Sequence, residues 1–189
     1  MFFESCLAER TGLSKERLRE FLSISEKKSY RKGDILFRGD RICNQLGCIV
    51  SGALRTYCVN DMGEEISFLL QVDRDFFGDY ESFIMQKKSM FIIEAIVDTE
   101  VFIFEKERLD RLIDSDIFWT RFSRTIADIC FLEAKRRIED LLFYSPEQRY
   151  SMLLSKCPEV IRKIPLKYIS TYLGITPQSL SRIRKRIIN

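Results

Sequence analysis

The chain has 189 residues, with 31 Lys+Arg against 28 Asp+Glu, no His, six Cys, 46% apolar and 12% aromatic residues. A chain of that size buries roughly 70% of its unfolded surface and needs neither disulfides nor a metal to fold. Its apolar content excludes a disordered chain, and no run approaches the ~18 apolar residues of a membrane span. Lack of histidine removes the commonest general base and the commonest zinc or haem ligand, so no enzyme and no metal site are expected. Cys6, Cys43, Cys48, Cys58, Cys130 and Cys157 contain no C-x-x-C pair, and the opening MFFESCLAER has neither a basic lead nor a long apolar core. These features predict a reduced, cytoplasmic protein in which Cys6, Cys43 and Cys48 fill space rather than bind metal.

Glycine and proline are sorted along the chain. Six of eight Gly lie between Gly33 and Gly78, and all four Pro (Pro146, Pro158, Pro165, Pro177) lie in the last 44 residues. Gly serves tight β turns and Pro the first turn of a helix, so the middle reads as β structure and the end as short helices. Ser14 to Leu22 predicts a short helix, with Leu18, Phe21 and Leu22 at helical spacing behind a capping serine. From Tyr30 to Phe104 the runs DILF, GCIV, ALRTYCV, EISFLL, MFIIEAI and VFIF read as strands. Ser51-Gly52 and Asn60-Asp61-Met62-Gly63 are expected as hairpin corners, and Ile66, Phe68 and Leu70 as one face of a strand. Many short strands with tight turns predict a sandwich or barrel.

After Glu105 the stretch ERLDRLI predicts a short helix, followed by Ser115 to Tyr144 without Gly or Pro. Phe118, Phe122, Ile126 and Ile129 recur at helical spacing, and Ala134, Ile138 and Leu141 repeat it after a charged patch, predicting one apolar stripe. A helix that long outreaches a small domain, so the stripe is expected to pack against a second copy of the chain; an ordinary core helix crossing the β domain is the alternative. Ser145-Pro146-Glu147-Gln148 then restarts a helix with a capping box and Pro at the first helical position. The expected organisation is an α+β chain: a β-roll with flanking helices over 1–113, a long helix over 114–144 and a helical domain over 145–189.

Residues 160–189 hold Arg162, Lys163, Lys167, Arg182, Arg184, Lys185 and Arg186 and no acidic residue. Within them, Pro165 to Tyr172 and Pro177 to about Ile187 read as helices around Leu173-Gly174-Ile175. Gly174 suits a left-handed helix end, and Thr176, barred from helical φ/ψ by Pro177, suits an N-cap. Ile169, Leu173, Ile175, Leu180 and Ile183 form the expected crossing core, with Ser170 small enough to let the helices approach. The second helix then faces outward with Gln178, Ser179, Ser181, Arg182, Lys185 and Arg186, as a recognition helix would. Gln178 and Arg182 suit base edges. Thr176, Pro177, Ser179 and Ser181, at the helix start or carrying hydroxyls, suit phosphate or mixed contacts, and Lys167, Arg184 and Lys185 backbone charge.

The order β-roll, long helix, helix-turn-helix resembles the Crp/Fnr family of bacterial transcription regulators. The likeness rests on Gly33-Asp34, Ser51-Gly52-Ala53-Leu54-Arg55, Gly63-Glu64-Glu65, Phe77-Gly78-Asp79, the Ala95 strand and the terminal YLGITPQSLSRIRK. It implies a dimer formed through the long helix, a jelly-roll-like β-roll able to hold an effector, double-stranded DNA as partner, and RNA polymerase as a further one. In members that bind cyclic nucleotide it implies a Gly-Glu on the ribose and an Arg-Ser or Arg-Thr on the phosphate. Here these become Gly78-Asp79, one methylene shorter, and Lys88-Ser89, which lacks the planar two-pronged grip of arginine. The expectation is therefore no bound cofactor: cyclic nucleotide is disfavoured, while another small effector stays open. Lack of histidine and of an N-terminal cysteine cluster argues against haem and iron-sulfur sensing. Many members carry a β-hairpin wing, whereas Arg149 to Ile164 here reads as helix broken at Pro158. A ligand-binding or protein-interaction module with a tail that does not bind DNA is the competing reading.

Overall fold

The computed structural model describes residues 12–188; Cys6 lies outside them. Helix α1 (Lys15–Ser23) starts at Ser14, whose hydroxyl accepts from Arg17 N. Eight strands follow: β1 (Ser25–Tyr30), β2 (Ile35–Phe37), β3 (Gln45–Ser51), β4 (Ala53–Val59), β5 (Glu65–Val72), β6 (Phe76–Phe77), β7 (Ile92–Ala95) and β8 (Thr99–Glu105), with helix α2 (Tyr80–Met85) between β6 and β7. They form two antiparallel four-stranded sheets, in the orders β1-β8-β3-β6 and β2-β7-β4-β5. Between them lie Ile49, Leu54, Phe77, Ile93, Ala95, Val101 and Ile103. Two strands escape the sequence reading. SEKKSY of β1 is too polar to signal one, and β6 has only two residues.

Two turns separate local from tertiary logic. Asn60 closes the β4–β5 hairpin, its side-chain oxygen accepting from Met62 N and Glu64 N. Ser51-Gly52 makes no hairpin, because β3 and β4 belong to different sheets. Gly52 instead carries the chain across the edge at φ +124, where a Cβ would stand 2.3 Å from Thr99 Oγ1. The expected single face of β5 is also broken. Register slips between Thr56 and Tyr57, so Ile66 lies opposite Cys58 and Leu70 opposite Arg55. A bulge of that kind sends the two apolar residues to opposite faces. Leu70 packs outward against the C-terminal helices, while Ile66 and Phe68 stay 42% and 50% exposed.

Helix α3 (Lys106–Ser115) leads into α4 (Ile117–Phe143), about 40 Å long at 1.5 Å per residue. Asp116 caps α4 and pairs with Arg17 at 2.5 Å. The start of α4 serves the chain's own core: Trp119 is buried, and Phe21 of α1 stacks on it at 5.9 Å and meets Phe122 edge-on at 5.8 Å. Four short helices complete the fold: α5 (Pro146–Lys156), α6 (Pro158–Lys163), α7 (Leu166–Tyr172) and α8 (Pro177–Ile188). Ser145 and Gln148 form the expected capping box at α5. The break falls at Pro158, and no β-hairpin wing occurs among the described residues.

Candidate nucleic-acid interface and effector residues

The turn between α7 and α8 follows from local chemistry. Gly174 has φ +69, Ile175 N bonds Ser170 O at 3.0 Å and Gly174 N bonds Thr171 O at 3.1 Å, the paired bonds of a Schellman helix end. Thr176 then caps α8, its Oγ1 accepting from Ser179 N at 3.2 Å and donating to Ser179 Oγ at 3.0 Å. Ile169, Leu173, Leu180 and Ile183 are buried where the helices cross, together with Tyr150, Val160 and Ile164. The outer face of α8 is left to polar groups. Pro177, Gln178, Ser181, Arg182 and Lys185 are exposed, and Thr176 is exposed at its start. Ser179 and Arg184 are half-buried; Arg184 Nε is enclosed without a hydrogen-bond partner among the described residues. Arg186 pairs with Glu147 at 3.2 Å. Arg182, Lys185, Ser179 and the start of α5 border an open cleft of about 690 Å³. Lys167, at the start of α7, is exposed with its ammonium over the Tyr168 ring. Of the nine residues expected to touch DNA, α8 and its cap thus gather seven on or beside one face; Arg184, two positions from Arg182, turns toward the buried side, and Lys167 stands on another helix.

The four residues expected at an effector are each engaged locally. Gly78 has φ +135, and a Cβ there would stand 2.6 Å from Leu46 Cδ2. Asp79 caps α2, accepting from Ser82 N at 3.2 Å. Lys88 pairs with Asp40 at 2.9 Å, both side chains outside in solvent. Ser89 is buried, its hydroxyl accepting from Phe91 N at 2.9 Å and its carbonyl accepting from Asp40 N. Toward the roll's interior, Thr56 Oγ1 donates to Gln71 Oε1 at 3.0 Å and Gln71 Nε2 to Phe76 O at 3.2 Å. Phe68 stacks on Phe91 at 4.6 Å. The buried arginine of β4, Arg55, faces the other way: Leu54 and Thr56 pair with Ala95 and Ile93 of the intersheet core, whereas Arg55 pairs with Glu94 on the outer face. No buried cation therefore faces the interior from β4, where a cyclic phosphate would need a charge-neutralising donor; the cation expected for that role, Lys88, lies in solvent on Asp40.

On the outer face of β4 and β5 lies a cluster that sequence reasoning missed. Arg55 Nε donates to Ser67 Oγ at 2.9 Å and Nη1 to Glu65 Oε2 at 2.6 Å, with Glu94 at 4.0 Å. Burial raises the Glu94 carboxyl above its ordinary 4.5, with Arg55 opposing. The rings of Tyr57 and Tyr168 stand 4.2 and 3.9 Å from the guanidinium carbon. The signal in the sequence is slight: one arginine inside the otherwise uncharged run ALRTYCV.

The expected self-association stripe divides. Phe118 and Phe122 are half-buried in the cluster around Trp119, and Ile126 and Ile129 are half-buried further along α4. Among the exposed apolar residues of α4, which also include Ile117, Leu132, Leu141 and Phe143, Phe131 (69%), Ile138 (58%) and Leu142 (71%) share one face at spacings of seven and four. Phe131 and Ile138 stand nine positions beyond Phe122 and Ile129, so Ile138, expected to continue the stripe, does not. Nine positions are two and a half turns, the opposite side of the helix.

A β-roll of two four-stranded sheets, joined through a long helix to a helix-turn-helix, is the class of protein that fold and surface define. The family profile of the cyclic nucleotide-binding domain matches residues 27–116. Similar solved structures include FixK2 from Bradyrhizobium japonicum, at 21% identity over 87% of this chain and 84% of that one, with a TM-score of 0.75. The c-di-GMP responsive global regulator CLP from Xanthomonas campestris matches at 18% identity over 92% and 91%, TM-score 0.69. A protein of Eubacterium rectale assigned to the Crp/Fnr family of transcriptional regulators matches at 21% over 93% and 83%, TM-score 0.66. No curated protein sequence matches. Residues 27–116 thus match the cyclic nucleotide-binding domain family, and the chain has the fold of these Crp/Fnr-type structures. No helix among the described residues is long and apolar enough to cross a membrane.

Proposed function

We propose that this chain is a sequence-specific, DNA-binding transcription regulator acting as a homodimer. It reads DNA through α8, and its β-roll does not take cyclic nucleotide as effector. The observation that carries this reading is the division of α8 into two faces. Leu180 and Ile183 are buried against α7, and Gln178, Ser181, Arg182 and Lys185 are left exposed. Gln and Arg four residues apart can address adenine and guanine edges in the major groove, while Thr176, Pro177, Ser179 and Ser181 lie at the helix start, where phosphate is favoured. Lys167, Arg184 and Lys185 supply charge to the DNA backbone.

Homodimerisation is supported by the exposed face Phe131, Ile138 and Leu142 of α4, a stripe of large apolar side chains that a lone chain leaves in water. The domain limits proposed are 1–113, 114–144 and 145–189; the capping box at Ser145 supports the last of them, while the first falls inside α3, just before α4 starts at Ile117. RNA polymerase is the further partner such a regulator would engage. The test is selection of bound duplexes from a random pool by the purified protein without added ligand. A two-fold symmetric consensus is expected, bound with an affinity that falls steeply with salt. Failure to enrich any sequence refutes the reading.

A further inference from the structure

The helix-turn-helix is seated on its own β-roll, and the seat is built around Arg55. That side chain is 1% exposed although it is cationic. Its guanidinium lies between the rings of Tyr57 from β4 and Tyr168 from α7. Its Nε bonds the hydroxyl of Ser67, and the same hydroxyl stands 2.8 Å from Thr171 Oγ1 of α7. Ser67 N also donates to Thr171 Oγ1, at 3.2 Å. Below this chain of contacts, Lys163 of α6 pairs with Asp73 at 2.6 Å and reaches Gly52 O at 3.3 Å. At its far end α7 is held again: Arg137 of α4 donates to Tyr172 O, and Arg149 of α5 to Leu173 O at 2.8 Å.

A planar guanidinium stacked on rings and bonded at fixed angles is directional where a hydrophobic contact is not. Helix α7 is therefore held in one orientation, and it shares a single buried core with α8. We propose that Arg55, a residue of the β-roll remote from the DNA-reading face, is a positioning residue for DNA recognition. By pinning α7 it sets where each protomer presents α8, and so which half-site spacing the dimer accepts. The proposal rests on the DNA-binding reading above. The seat covers α7 and leaves Gln178, Ser181, Arg182 and Lys185 exposed, so the seated arrangement keeps the reading face open to DNA.

The test uses the full chain and a set of duplexes carrying the selected half-site at the preferred separation and at separations changed by a few base pairs. Arg55→Lys keeps the charge but loses the plane and the fork; Thr171→Val cuts the seat from the α7 side and carries the test if the first variant does not fold. Each is expected to weaken binding at the preferred separation by about tenfold and to erode discrimination between separations by a similar factor, because two poorly oriented heads gain less from linkage. Base preference within the half-site and the salt dependence stay as in the wild type. A loss of stability alone lowers the active fraction equally for every duplex and leaves the ratio between separations unchanged. That unchanged ratio in a folded variant, or tighter binding at any separation, overturns the proposal. Absence of wild-type binding to any duplex instead overturns the DNA-binding reading on which it stands.

Discussion

Arg182 and Leu180 stand two residues apart on α8 and face opposite ways, which lets recognition be separated from folding. Arg182 is exposed and makes no ion pair among the described residues, and arginine and alanine are both good helix formers. Arg182→Ala should therefore change the stability of the free protein by less than about 0.5 kcal/mol. In the complex the same change removes a two-pronged base contact worth about 1–3 kcal/mol, so affinity for the selected duplex should fall roughly 5- to 150-fold and preference at one base position should relax. Leu180 is fully buried in the crossing core, so Leu180→Ala should cost about 2–5 kcal/mol of stability through lost burial and a cavity. Urea unfolding, paired with fluorescence anisotropy on the selected duplex at several salt concentrations, measures both quantities. Lys185→Ala is the control: weaker binding to every sequence, with a salt slope reduced by about one. Unchanged affinity and base preference in Arg182→Ala, with the fold intact, would show that this face of α8 does not read bases.

Gly174→Ala should cost about 1–2 kcal/mol from backbone conformation alone, since φ is +69 and the new Cβ meets nothing within 4 Å; Gly174→Asn should recover part of that in the same unfolding experiment. Phe131→Glu with Ile138→Glu should convert a dimer to monomer in sedimentation velocity without loss of helicity, whereas Phe122→Ala should destabilise the monomer itself; a dimer that survives the double change places the interface elsewhere. Glu94 is the site of an acid-side effect. Its carboxyl is raised in the folded state, so the folded chain binds that proton more tightly than the unfolded one. Its contribution is present below about pH 4.5 and is lost as pH rises through the folded value. Asp116, lowered by the Phe118 N–H and by Arg17, works with the opposite sign. The measurement is therefore the difference between wild type and Glu94→Gln, which should shift in favour of Glu94→Gln as pH rises from 4.5 and then level off. Calorimetric titration with cyclic AMP or cyclic GMP should give no saturable heat, and a stoichiometric site would contradict the reading of the β-roll interior.

Much of the candidate interface was legible because its determinants are close in sequence. The Gly174 turn, the Thr176 cap and the spacing of Leu180 and Ile183 lie within a dozen residues, and the Ser145 capping box needs only four. Helix-end chemistry of this kind is satisfied by neighbours, whatever the rest of the chain does. The Gly78-Asp79 pair carries a use that its own short stretch does not reveal: Asp79 serves as a helix cap, and the geometry that brings its oxygen to Ser82 N appears only once α2 is in place.

The sequence by itself determined most of the elements and their order, β1, β6 and α2 apart, and the polar, cationic face of α8, since these follow from periodicity, caps and turn residues over short stretches. Tertiary structure alone decided that Ser51-Gly52 joins two sheets and that Leu70 leaves the face of Ile66. It also turned the start of α4 to its own core, leaving Phe131 and Ile138 exposed, and made Arg55 meet Tyr168 and Ser67 meet Thr171. Those outcomes depend on strand register and on pairs about a hundred residues apart. No local preference encodes such pairs; they form only when the burial of every element is satisfied together.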